Sequence, residues 1–286
     1  MNKKYENKID DFYVGPTFSY ENSLFNSDNL SKYCEYAQKL PAKLKEDPSF
    51  NKWDFYNEII QNKSLYRKNE TANDSIALYW LSQVRKMANI FSMTNDIPKL
   101  SLTEEDLRDL AHKSVDESYI PHIADYLLQK GIILIYIKSI EGMKVDGVSF
   151  LLDGNIPVIG MSLRYSRIDY YWFTLFHELA HIILHKEFLT EPLLDDLDEE
   201  SCEDIEIEAD TLAKDSFIPI SSWRTSKLNY SSDYETLIIE AKKFKLHPAI
   251  LAGRYRRENH KYNIFTSVVQ SCDIRKNLLC ETTHLF

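Results

Sequence analysis

Asp169-Tyr-Tyr-Trp-Phe-Thr-Leu-Phe-His177-Glu178-Leu-Ala-His181-Ile-Ile-Leu-His185 is the stretch from which the rest of the chain can be read. It holds no Pro or Gly and runs for several turns, so it is expected to form one helix. Inside it, His177-Glu178-Leu179-Ala180-His181 spells H-E-x-x-H. Positions i and i+4 of a helix share a face, so the two imidazoles can reach one metal ion. Glu178 then lies beside a water on that ion, the arrangement that makes a nucleophile at neutral pH. Trp172, Phe173, Phe176, Leu179 and Ile182 surround the motif with apolar surface. A helix apolar on most faces is buried. Polar side chains buried there need partners, and a metal ion satisfies all three at once.

A catalytic zinc ion takes three protein ligands and keeps one position open. His185 continues the i+4 ladder, but the longer spacing H-E-x-x-H-x-x-G-x-x-H is absent. His185 therefore reads as a packing residue or as a group standing behind a ligand. A better source is Glu203-Asp-Ile-Glu206-Ile-Glu208-Ala209-Asp210-Thr-Leu212-Ala213, the start of a second helix that Phe217-Ile218-Pro219 ends. On spacing alone, Glu206 and Glu208 both qualify as the third ligand. Asp195, Asp196, Asp198, Glu199 and Glu200 read as a solvated acidic face.

The 286 residues, 44% of them hydrophobic, suffice for one or two packed domains. A net charge of −10 argues against a polyanion-binding protein overall. Cys34, Cys202, Cys272 and Cys280 lack metal-type spacing and fit reduced thiols. Met1-Asn-Lys-Lys-Tyr-Glu-Asn-Lys lacks the apolar centre of a signal peptide. No run of about 18 apolar residues predicts a membrane span. A cytoplasmic location is the expectation.

Residues 1–70 are polar, with helical patches at Leu30 to Leu44 and Trp53 to Gln61 and no helix-turn-helix signature. Residues 71–130 form a helical lead-in: Asp74 to Met93, Ser101 to Ala111 and Pro121 to Lys130, with Thr103 as an N-cap and Gly131 as a C-cap. The period then changes. Ile132 to Ile137, Val148 to Leu152 and Ile156 to Met161 read as strands, with Asp153-Gly154-Asn155 turning a hairpin. An edge of that sheet can bind an extended peptide. Residues 131–232 make the core of this reading. Residues 233–286 return to helix: Tyr234 to Phe244 and Pro248 to Asn259, a pair with a basic face that resembles a helix-turn-helix. The simpler reading of the pair is that it closes the core, its basic face solvated or matched to the acidic stretch.

Several segments together resemble the ImmA/IrrE family of metallo-endopeptidases, including versions found behind XRE-type or HigA-like DNA-binding modules. They are Gly147-Val-Ser-Phe, Pro157-Val-Ile, Leu163-Arg164-Tyr, the Asp169 to His181 run, Glu208-Ala209-Asp210-Thr-Leu-Ala213 and Phe217-Ile-Pro219, with a weaker match at His247-Pro-Ala-Ile-Leu-Ala-Gly-Arg254. The resemblance covers roughly residues 71 to 270. It implies a zinc ion held by His177, His181 and Glu208, because the family's ligand Glu directly precedes the Ala. It implies Glu178 as general base and Asp210 as a residue orienting a ligand His.

The fold expected is α+β: a zincin-like core, with a small sheet beside the H-E-x-x-H helix, and helical N- and C-terminal parts. The function expected is a zinc-dependent endopeptidase with a narrow protein substrate. A repressor or antitoxin-type regulator is the expected substrate, in stress, phage or toxin-antitoxin regulation. Tyr165, Tyr170, Tyr171, Tyr230 and His247 are the candidates for stabilising the oxyanion. The alternative is a non-catalytic, antitoxin-like binding protein on the same fold, and a third reading is a DNA-contacting regulator using the C-terminal helices. Direct nucleic-acid contact and membrane association are not expected.

Overall fold

The computed structural model describes residues 27–61, 72–189 and 200–279. Cys280, most of the solvated acids and the first 26 residues lie outside these segments. The chain begins with α1 (Ser27–Lys39), α2 (Ala42–Lys45) and α3 (Lys52–Gln61), then α4 (Ala72–Thr94), α5 (Glu104–Lys113) and α6 (Ile123–Gln129). Three strands follow, β1 (Ile133–Tyr136), β2 (Gly147–Leu152) and β3 (Ile156–Met161). The remainder is helical: α7 (Ile168–Leu184), α8 (Glu200–Phe217), α9 (Ile220–Arg224), α10 (Tyr234–Phe244), α11 (Pro248–Glu258), α12 (Thr266–Val269) and α13 (Ile274–Leu279). The α+β expectation holds: helices flank one small mixed sheet.

Local chemistry sets the element ends. Thr103 caps α5 through a capping box with Asp106. Gly131, at φ 81°, closes α6: its N–H reaches Leu128 O and the Ile132 N–H reaches Leu127 O, the paired bonds of a Schellman motif. Asp153 and Gly154 both take positive φ in the β2–β3 hairpin, as its right-handed twist demands.

The sheet order is β1-β3-β2, with β1 parallel and β2 antiparallel to β3. Alternate side chains of these strands feed two cores. Leu134, Leu151, Ile159 and Met161 pack with α5–α8, α10 and α11. Ile133, Val148, Phe150 and Val158 pack against α4, on which α1 and α3 rest. The sheet thus lies between α4 and α7. β2 is an edge strand of the described sheet, and at its far end Leu151 N–H donates to Leu189 O at 2.8 Å.

The helix pair α10/α11 exists, joined through Lys245 in the left-handed region. Its second helix is packed inward. Residues Ala249 to Arg256 of α11 are buried, and the helix packs on α7 and α12. A recognition helix must present its face to a groove, and α11 has none to present. Arg254 is spent internally: it bonds Lys214 O and Ile218 O at the C-terminal end of α8, at 3.1 and 2.9 Å, and pairs with Glu258.

Candidate metal centre

His177 and His181 sit on one face of α7, where the i, i+4 spacing puts them. Their Nε2 atoms are 3.0 Å apart. On α8, Ala209 and Ala213 are buried and let the two helices approach closely. Phe217, at the end of α8, stacks on Phe176 at 4.2 Å and meets Phe173 edge-on. Ala209 fixes which side of α8 faces α7. Glu206, three residues before it, lies on that side. Its carboxylate oxygens lie 3.0 Å from His177 Nε2 and 3.4 Å from His181 Nε2. These three side chains are the one group among the described residues whose donors could hold a metal ion together.

Glu208, the ligand implied by the resemblance, is placed differently. It lies one residue, or about 100°, round the helix from Ala209. Its side chain is 65% exposed, and its oxygen bonds His185 Nε2 at 2.9 Å rather than joining His177 and His181. The helical spacing Glu206-Ala209-Asp210-Ala213 is the sequence signal for the correct face.

The outer hydrogen bonds fix the ring tautomers. Asp210, also bonded by Lys214 Nζ at 2.9 Å, lies 3.2 Å from His177 Nδ1. Burial raises the Asp210 carboxyl, but the hydrogen bonds of His177 and Lys214 outweigh it and hold it well below the usual carboxylate range. In a neutral ring, His177 Nδ1–H then donates to Asp210, and Nε2 is a bare lone pair. Likewise, His185 Nε2–H donates to Glu208. His185 Nδ1 is therefore an acceptor, and it lies 3.2 Å from His181 Nδ1, which donates to it. His181 Nε2 is bare as well. With neutral rings, two lone pairs and a carboxylate converge, and a metal ion or a ring proton can bridge them. Burial raises Glu206, but hydrogen bonds from the His177 and His181 rings outweigh it and hold its carboxyl down at about 2, so a proton on Nε2 serves there as a cation would.

Tetrahedral zinc with bonds of about 2.1 Å separates its ligand atoms by roughly 3.4 Å, so contacts of 3.0 to 3.4 Å fit such an ion with little adjustment. Glu178 is buried on the neighbouring side of α7, toward the sheet. A Cβ on Gly147 would stand 2.5 Å from Glu178 Oε1 and 2.8 Å from Thr174 Cγ2, so the first residue of β2 must be glycine for the carboxylate to fit.

His177, Glu206 and Asp210 open on a cleft of about 620 Å³, which runs along α7 to its N-terminal end between α8 and α11. Tyr170 lines it. Of the other oxyanion candidates, Tyr171 is buried with its hydroxyl on Tyr136 at 2.7 Å, and His247 pairs with Glu117 at 3.1 Å. Tyr230 is exposed in the turn before α10, and Tyr165 stacks against Tyr170 at 4.3 Å.

Residues 129–254 match the Peptidase M78 profile, described as an IrrE N-terminal-like domain. This segment belongs to the ImmA/IrrE family. Both helices of the candidate centre and the whole sheet fall within the M78 match. The family implies a metallopeptidase acting on protein. No curated protein matches the chain. No helix among the described residues is long and apolar enough to cross a membrane.

Proposed function

We propose that the protein is a zinc-dependent endopeptidase whose ion is held by His177, His181 and Glu206. The observation that carries this reading is the meeting of two imidazole nitrogens and one carboxylate at the head of a cleft. Glu208 takes another role: with His185 it holds His181 from behind, as Asp210 holds His177. When bound, a zinc ion would lower the pKa of a water toward about 7. Glu178 would serve as the general base, taking a proton from the attacking water and later passing it to the leaving amine. It is buried against Gly147, the first residue of the edge strand β2, along which an extended peptide could lie. Tyr170, on the cleft wall, is the candidate donor to the oxyanion.

The substrate proposed is one regulatory protein of repressor or antitoxin type. We read residues 131–232 as the catalytic core and residues 71–130 and 233–286 as the helical layers that close it. The test is to incubate zinc-loaded wild-type protein and Glu178→Gln separately with lysate of the source cells. New protein N-termini are then identified by mass spectrometry. Termini produced by the wild type and absent with Glu178→Gln support the peptidase. Equal sets from both proteins, with zinc bound in both, would sink it.

A further inference from the structure

The far end of the cleft holds a charge that the chemistry at its head does not use. Arg256 on α11 lines the cleft and is only 5% exposed. Its Nη2 bonds Tyr262 O, but its buried Nε and Nη1 have no acceptor among the described residues. No carboxylate among the described residues forms an ion pair with it, whereas Arg254 has Glu258 and Arg167 has Asp169. Asp169 is within electrostatic reach of Arg256 but is committed to Arg167 through both oxygens. Arg256, Arg167 and Asp169 therefore carry a net positive charge out of water, which is unfavourable unless an anion arrives.

Two further features point the same way. The 17-residue helix α7 begins here at Arg167, and no side chain of its N-cap accepts a hydrogen bond from its first turn. The positive end of its dipole adds to the field. Gly253 packs directly on Asp169, 2.5 Å separating its would-be Cβ from Oδ2. Arg256, one turn further along α11, is thereby set over the start of α7.

We propose that Arg256, backed by Arg167 and the N-terminal end of α7, receives the carboxylate of an acidic substrate residue. The group would pivot on its Nη2 bond to Tyr262, turning a free N–H of Nη1 toward the cleft as a charged donor. Asp169 and His177 are eight positions apart on α7, or about 12 Å at 1.5 Å per residue. An extended peptide covers that in roughly four residues. The acidic residue thus lies about four positions from the scissile bond.

This inference rests on the peptidase reading for the scissile bond alone, so its test reads binding, not cleavage. Random decapeptides are selected by display on immobilised zinc-loaded Glu178→Gln protein. The best binder and its Gln counterpart are then titrated calorimetrically. Enrichment of Asp or Glu at one fixed position is expected, with about tenfold weaker binding of the Gln peptide. The preference should vanish in Arg256→Met on the same background and persist in Arg224→Met, an exposed arginine outside the cleft. Arg256→Met should melt no lower than its parent, since it removes an unmatched buried charge. Peptides without acidic enrichment, no peptide at all, or a preference that survives Arg256→Met would each overturn the assignment, and each leaves the cleavage result standing or falling by itself.

Discussion

Glu208 Oε2 lies 2.9 Å from His185 Nε2, and this contact, not one to the metal face, is the place of Glu208 in the fold. His185 is the C-cap of α7, so its ring turns back under His181 instead of continuing the helical ladder. In the proposed metal site, Glu206 is a ligand and Glu208 supports one from behind. Glu206→Ala should purify without stoichiometric zinc. Glu208→Ala should keep zinc but bind it about 10- to 100-fold more weakly. Metal analysis with a chelator competition separates the two, and zinc loss in Glu208→Ala alone would reverse the assignment.

Gly147→Ala tests how closely β2 approaches the base. The added methyl would meet Glu178 Oε1 at 2.5 Å and must displace it. We expect full zinc content, a cleavage rate reduced by at least about 100-fold, the lower range of general-base contributions, and about 1–3 kcal/mol of lost stability. Wild-type turnover in this variant would place the base elsewhere.

Arg254 ties α11 to the end of α8 through two backbone carbonyls and lies over the Trp223 ring at 4.7 Å. Arg254→Met removes charged hydrogen bonds and strands those carbonyls. A loss of about 3 kcal/mol is expected in urea unfolding. A loss below about 0.5 kcal/mol would mean that other groups hold the end of α8.

His247 predicts a pH dependence. Its Nδ1 accepts the Ala249 N–H at 3.1 Å and caps α11, so Nε2–H faces Glu117. Burial lowers its pKa, and the opposing pull of Glu117 does not cancel it. The folded protein therefore binds less proton here than the unfolded chain. Its contribution to stability is complete above a pH of about 6.5 and is lost as the pH falls through the lowered folded value. Thermal melts should show this fall in the wild type and a shallower one in His247→Asn, which keeps a cap acceptor. Parallel profiles would exclude His247 as the source.

The pairing of His177 with His181 was legible because one helix carries both, and helical spacing is a local property. So were the strands and the Asp153-Gly154 turn. Choosing between Glu206 and Glu208 required knowing which side of α8 meets α7. The family resemblance implied Glu208, and spacing alone left both open, whereas the three-residue step to buried Ala209 favours Glu206. Arg256 could not be read at all. Its arginine-rich context suggested a solvated basic face, and only the packing of α11 on α7 buries it. Tertiary contact decided each of these residues where local pattern left two answers.

The set His177, His181 and Glu206 offers two imidazole nitrogens of borderline softness and one hard carboxylate oxygen. Imidazole nitrogens accept copper, nickel and iron as well as zinc, and affinity for such a set rises toward copper. Nothing in the trio discriminates among these ions by ligand chemistry. Which ion the cleft acquires is then governed by what the surrounding metal pool supplies, and preparations made in different media should differ in the metal they carry.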